Sequence, residues 1–162
     1  MFPSHDRAKC FPVTIGRVID KTEEKRYHFY GSKLVEGKHH LPNMHCWLGE
    51  NHLNLDKPVV LVEGPFDYAS VFRQYSNVAA SFTSGLSVMK IKRLADATEI
   101  ITLYDQGSGG DAARKRIEEV LPKHSITHVV PDEEEDDPGN MTEQQIIDAL
   151  SPLIGMSPFH KE

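Results

Sequence analysis

The stretch "VEGPFDYAS" places Glu63 at the end of an apolar run, lets Gly64 and Pro65 turn the chain, and brings Asp67 in just behind. A second apolar run, "EIITLY", ends at Asp105 and passes into "DQGSGGDAARKR", small residues followed by a basic, alanine-bearing helix pattern. A third, "ITHVVP", opens into "DEEEDDPGN", with six consecutive acids from Asp132 to Asp137. Singly, each has an ordinary structural reading: Asp67 as a helix cap, a glycine-permitted turn after Asp105, and a solvated acidic loop closed by proline and glycine. The conjunction asks for more. Carboxylates ~4 Å apart repel by about 4 kcal/mol at the effective dielectric of a protein surface, so a fold that gathers three or four of them calls for a neutralising cation. All-oxygen ligation favours Mg²⁺ or Mn²⁺, ions that keep several waters and bridge to phosphate. The chemistry this implies is metal-assisted phosphoryl or nucleotidyl transfer, or phosphodiester hydrolysis.

A sheet is what would gather these acids. Strand-like runs at 58–63, 77–81, 99–104 and 126–131 alternate with helical patterns at roughly 66–75, 87–96, 110–121 and 142–150. Phe66, Ala69 and Phe72 recur at helical spacing, as do Val88, Ile91 and Leu94, and Thr142 with Gln145 forms a capping-box start. Near-continuous apolar strands alternating with helices predict a parallel sheet of about four strands, flanked by helices on both faces. Ligands of such sheets sit at the carboxyl ends of the strands, where three of the four runs deliver acids. Residues 1–56 differ. They hold six of the nine histidines, and ragged segments such as "FPVTIGRVI" and "RYHFYG" predict a small irregular or antiparallel β segment. The expected division is therefore 1–56, an α/β domain at 57–150, and a tail at 151–162.

Composition excludes little. With 162 residues, 39% hydrophobic and 26% charged, the chain fits one globular domain with a small appendage. The net charge of −6 resides in the acidic run; outside it, 18 Lys and Arg face 18 acids, a balance that leaves room for a basic groove. No apolar stretch nears the ~20 residues of a membrane span, no signal-like start is present, and two cysteines suit a reducing cytoplasm. Gly107, Gly109 and Ala112 match a dinucleotide fingerprint with Asp132 as its distal acid, but that motif belongs on the first regular strand and leaves Glu63 and Asp67 unexplained. "HHLPNMHC" offers His39, His40, His45 and Cys46 to zinc, with only Cys10 to complete a second ligand pair. Trp47 reads as a core anchor, and no G-x-S-x-G elbow supports a serine hydrolase.

"VVLVEGPFDYASVF", "SFTSGLSVMKIKRL" and "EIITLYDQGSGGDAARKRIEEVL" together resemble the Toprim domain in its bacterial and phage DnaG-type primase form. That pattern has a strand ending Glu-Gly-x-x-Asp, a Gly-Thr-x-Leu-like turn, a strand ending Asp-x-Asp-x-x-Gly, and a later Asp-Pro-Asp loop. "MFPSHDRAKCFPVTIGRVID", "RYHFYGSK" and "HLPN" are similar to the segment that enters the Toprim fold in primases, so the resemblance spans roughly 1–150.

The resemblance implies a Toprim fold in which Glu63 is a general acid/base or metal-linked group, and Glu63, Asp67, Asp105 and Asp137 hold Mg²⁺ or Mn²⁺. It puts Lys9, Arg17 and Arg26, together with Arg114, against template or nucleotide phosphates. The implied partners are single-stranded DNA, nucleoside triphosphates, and a replicative helicase or a second primase-core polypeptide. The sequence also departs from the pattern: Gly107 stands at the second acid of Asp-x-Asp, Gly139 at the second acid of Asp-Pro-Asp, and Thr83 at the glycine of the Gly-Thr turn. The resemblance leaves the zinc module and most of the amino-terminal half of the primase core unmatched, which implies either a small stand-alone or split primase-like protein, as of a phage or mobile element, or one that kept the fold and lost part of the chemistry. Three functions follow as expectations: primer synthesis, Toprim-type nuclease activity, or a binding module without turnover. A Gly107→Asp change is expected to strengthen a second cation site.

Overall fold

The computed structural model describes residues 46–82, 85–131 and 137–155, together with the backbone of four short strands nearer the N-terminus. Those strands form two antiparallel pairs, as the ragged pattern predicts. β1 (Thr14–Arg17) pairs with β2 (Tyr27–Tyr30), and β3 (Lys33–Val35) with β4 (Lys38–His40). Arg17 ends β1, and His39 and His40 lie on β4; Lys9, Arg26, His45, Thr83 and the 132–136 part of the acidic run lie outside the described residues.

The regular half is a parallel sheet of β5 (Val59–Val62), β6 (Val78–Ala80), β7 (Glu99–Leu103) and β8 (Ser125–Val129), in the order β6–β5–β7–β8. Among the described residues four helices cover it: α1 (Pro65–Phe72), α2 (Val88–Lys92), α3 (Ser108–Val120) and α4 (Glu143–Ile154). β5 and β6 read as unbroken apolar runs because both of their faces are dry, whereas β8 at the sheet edge is only partly buried. Val59, Leu61 and Ile100 pack with Ile91, Leu94, Ala113 and Ile117 on one side. Val60, Val62, Ile101 and Leu103 pack with Val71, Ile146 and Leu150 on the other. Each such side chain contributes about 1.5–3 kcal/mol by leaving water. Thr102, buried in mid-strand, is satisfied by His128 Nδ1 at 2.7 Å, and His128 Nε2 reaches Glu118 on α3 at 3.0 Å.

Two details position the site. The segment before β5 closes the outer edge of β6 through an antiparallel bridge between Leu48 and Ala80. Trp47 is the core anchor expected: its indole donates to the Lys90 carbonyl at 2.9 Å, while buried Glu50 accepts Arg93 Nε at 2.6 Å and the Trp47 amide at 3.1 Å. The second detail is the rotation of α1. Its Phe66–Ala69–Phe72 stripe turns outward, with Phe66 48% and Phe72 40% exposed, and Phe72 stacks on Tyr68 at 5.3 Å. Its buried residues are Asp67 and Val71. Burying Val71 on the sheet carries Asp67 toward the strand ends. No described helix is long and apolar enough to cross a membrane.

Candidate metal centre

The strand order reverses at β5: β6 lies on one side and β7 on the other. That reversal opens a crevice outside the carboxyl ends of β5 and β7, the place where open α/β sheets bind ligands. With Val59 beside Ile100 and Leu61 beside Thr102, the two strands run in step; the register carries Glu63 opposite Tyr104, and Asp105 follows one residue later at the same edge.

Each acid is held by the element that delivers it. Gly64 and Pro65 start α1, and Asp67, three residues into the turn, accepts the Gly64 amide at 2.6 Å. The cap reading of Asp67 is thus correct, and only one carboxylate oxygen makes that cap. Asp105 is fixed from behind. The Gly110 α-carbon abuts the Asp105 carbonyl so closely that a Cβ there would overlap it. Arg114, on α3, donates to the carbonyls of Tyr104 at 3.2 Å and Asp105 at 3.4 Å and pairs with Asp111 at 2.8 Å. The guanidinium expected on a phosphate is instead buried beneath the Asp105 turn, with its donors directed at the fold. Gln106 Nε2 hydrogen-bonds the Pro131 carbonyl and so ties this turn to the start of the acidic loop.

The far end of that loop closes the cluster. Asp137, Pro138, Gly139 and Asn140 form a turn in which the Asn140 amide donates to the carbonyl and to Oδ1 of Asp137, both at 2.9 Å. Gly139 lies against two carboxylates, since a Cβ there would fall 2.9 Å from Oδ1 of both Asp67 and Asp137. Glu63, Asp67, Asp105 and Asp137 therefore share one neighbourhood, and their charges act on one another. Burial, then the charges of Asp105, Asp137 and Glu63, push Asp67 up to about 6 despite the Gly64 hydrogen bond. Burial and Asp105 raise Glu63; burial and Asp137 raise Asp105, against the opposing pull of Arg114. Beside them the wholly buried Tyr104 hydroxyl faces Ser81 without a well-formed hydrogen bond, and burial raises its pKa.

A hard divalent cation fits this donor set. Among the described residues Asp105 Oδ1 is buried without a hydrogen-bond partner, and the carboxylates of Glu63, Asp67 and Asp137 act on the same neighbourhood. Among the described residues no three acidic, histidine or cysteine side chains converge tightly enough to form a ready-made cage. That openness suits Mg²⁺ or Mn²⁺, which take one or two carboxylates and fill the remaining positions with water and substrate oxygens. Gly107 adds no acid. Its φ of 108° and ψ of 179° belong to a region that is essentially glycine-only, so any side chain at this position is strained. The expected gain from Gly107→Asp therefore has to be weighed against that strain. The structure also adds a residue the sequence reading passed over: Lys90, wholly buried, whose Nζ hydrogen-bonds the Ser81 carbonyl at the end of β6.

Known structures share this fold. The zinc-binding and RNA polymerase domains of the Aquifex aeolicus primase superpose with a TM-score of 0.68 at 21% identity, over 88% of this chain and 36% of that one. A DNA primase domain from Pseudomonas aeruginosa gives 0.64 at 23% identity, over 80% and 41%. The DnaG catalytic core gives 0.60 at 21% identity, over 79% and 43%. The chain thus spans less than half the length of these structures and shares their fold. Among curated proteins none matches it. A family model described as Toprim-like matches residues 60–141, a span that takes in all four carboxylates. Strand order, acid placement and this match converge on one assignment: the chain belongs to the Toprim-like family.

Proposed function

We propose that the chain is a primase-type Toprim module, which joins ribonucleotides into short primers on single-stranded DNA with Mg²⁺ or Mn²⁺ held by Glu63, Asp67, Asp105 and Asp137. The observation that carries this reading is the set of four carboxylates at the switch point of the sheet, with Asp105 Oδ1 buried and unpartnered. A bound divalent cation supplies neutralisation of the nucleotide's phosphates and of charge developing at the transferred phosphorus. The protein's own residues supply the rest. Asp67 is oriented by its hydrogen bond to Gly64, and Asp105 by Arg114 and the packing against Gly110. Glu63, its pKa raised by burial and by Asp105, is suited to take the proton an attacking hydroxyl gives up. Lys9, Arg17 and Arg26 are the proposed contacts to template and nucleotide phosphates. A replicative helicase or a second primase-core polypeptide is the proposed partner, and the cytoplasm the proposed site of action.

The test is a single incubation of the protein with Mg²⁺ or Mn²⁺, labelled ribonucleotides and single-stranded DNA, with Glu63→Ala as control and both synthesis and cleavage monitored. Primers made by the wild type and lost in Glu63→Ala support the proposal. Cleavage lost in the same variant supports a Toprim-type nuclease, in which Glu63 serves as the general acid/base. No product, with DNA or helicase binding that Glu63→Ala leaves untouched, sinks both catalytic readings in favour of a binding module.

A further inference from the structure

Lys90 lies in the first turn of α2, where Ser87 Oγ accepts its amide at 3.2 Å. Its side chain runs inward between two aromatic rings, with Nζ 5.2 Å from the centroid of Trp47 and 5.7 Å from that of Phe82. An ammonium in such a place is costly unless it is well solvated by the protein. Burial lowers the Lys90 pKa to about 8, which still leaves it charged at neutral pH. The rings provide cation–π attraction, and the Ser81 carbonyl provides a charge-assisted hydrogen bond.

That carbonyl is one end of a single peptide unit whose other end is the amide of Phe82. The Phe82 amide donates to the Glu63 carbonyl at 2.8 Å, and Ser81 Oγ points to the same carbonyl at 3.4 Å. A donor on one end of a peptide strengthens the donor at its other end. Phe82 also holds φ at 66°, a left-handed conformation that a bulky residue adopts only where its surroundings impose it. The contacts thus run in one line, from the Lys90 ammonium through the Ser81–Phe82 peptide to the backbone of Glu63.

We propose that Lys90 is a positioning residue for the acidic centre: by gripping the Ser81 carbonyl it fixes the Phe82 amide on Glu63 and so sets where the Glu63 carboxylate stands. The proposal rests on the reading of Glu63 as part of a cation site. An apolar side chain of the same length would fill the same space between Trp47 and Phe82.

The experiment compares wild type, Lys90→Met, Lys90→Gln and Glu63→Gln at pH 7.5. Mn²⁺ affinity is followed by electron paramagnetic resonance, backbone amides by ¹⁵N NMR, and folding by circular dichroism. Loss of a residue that orients a ligand through a hydrogen bond weakens metal binding by about ten- to a hundredfold, and Lys90→Met is expected to do so while remaining folded. The Phe82 amide is expected to move upfield as its hydrogen bond to Glu63 loosens, with the amide of Ala113, in the core on α3, left in place. Lys90→Gln, which keeps a donor for the Ser81 carbonyl, is expected to recover part of both signals, and it carries the test if Lys90→Met fails to fold. Mn²⁺ affinity within twofold of wild type and an unmoved Phe82 amide, in a folded variant, would overturn the proposal. If the wild type itself binds no Mn²⁺, the cation-site reading fails, and the Phe82 amide still decides whether Lys90 holds that peptide.

Discussion

Gly107 opens α3 with φ at 108°, and no described residue lies within 4 Å of the place a Cβ would occupy. Space is free and backbone is not, so any side chain there costs about 1–3 kcal/mol in conformational strain without a clash. Gly107→Ala and Gly107→Asp are therefore expected to lose similar stability in urea melts, and Gly107→Asp to leave Mn²⁺ stoichiometry unchanged. A gain of a second tight ion in Gly107→Asp would show that the carboxylate, not the backbone, is what this position lacks. Gly110 makes the contrast, because its α-carbon touches the Asp105 carbonyl and an added methyl must move the turn itself. Glu63, Asp67 and Asp105 were legible in the sequence because each ends or immediately follows an apolar run, and strand ends are where such sheets place function. Lys90 was not. The helical spacing of Val88, Ile91 and Leu94 passes over it, and the one available signal was its own spacing: Lys90 stands four residues from both Leu86 and Leu94, which are buried. Periodicity shows which face a residue occupies, but not that a charge on that face has a carbonyl and two rings to receive it.

At the scale of elements, α3 acts as a clamp on the end of β7. Arg114 spends its donors on two backbone carbonyls and on Asp111, whose side chain is 72% exposed. Removing the guanidinium leaves buried carbonyls without a donor, a loss of about 1–3 kcal/mol. The Asp111 pair, largely in water, is worth about 0–1 kcal/mol. Urea denaturation is expected to rank Arg114→Met well below Asp111→Asn in stability; equal effects would mean that the guanidinium serves only the surface pair. At α4 the Thr142 hydroxyl accepts the Gln145 amide at 3.3 Å while Gln145 Oε1 accepts the Thr142 amide at 2.8 Å. Thr142→Ala is expected to cost about 1 kcal/mol in the same melts, and no measurable loss would mean that the Gln145 half of the box suffices. That box was readable because capping is local. The orientation of α1 was not, for the Phe66–Ala69–Phe72 spacing that reveals the helix belongs to its outer side. Which stripe of a helix is buried depends on the sheet it meets, and Asp67 and Val71 give no apolar period of their own.

Across the whole molecule, the acidic centre works against the fold that builds it. Asp67 titrates near 6 in the folded chain against 3.8 for an ordinary aspartate, so between those values the folded state holds more protons than the unfolded one. Stability from this group is then full below about pH 4 and is lost as pH rises through 6, a loss of order 3 kcal/mol at neutral pH. Glu63 and Asp105 are shifted in the same direction. This is the reverse of ordinary acid denaturation, and it gives a divalent cation its leverage, since the cation replaces the protons that neutral pH removes. A cation present at a hundred times its dissociation constant stabilises the folded state by about 2.7 kcal/mol. Mg²⁺ is therefore expected to raise the melting temperature at pH 7.5 and to do little at pH 4.5, where protons already fill the site. EDTA should reverse the gain only at the higher pH. Asp67→Asn, which keeps an oxygen for the Gly64 amide but carries no charge, is expected to make the metal-free protein more stable at pH 7.5 and to blunt its response to Mg²⁺. The measurement is a set of thermal melts of both proteins at the two pH values, with Mg²⁺ and with EDTA. An equal Mg²⁺ gain at pH 4.5 and pH 7.5, or an Asp67→Asn protein that responds like the wild type, would place the cation elsewhere than among these four carboxylates.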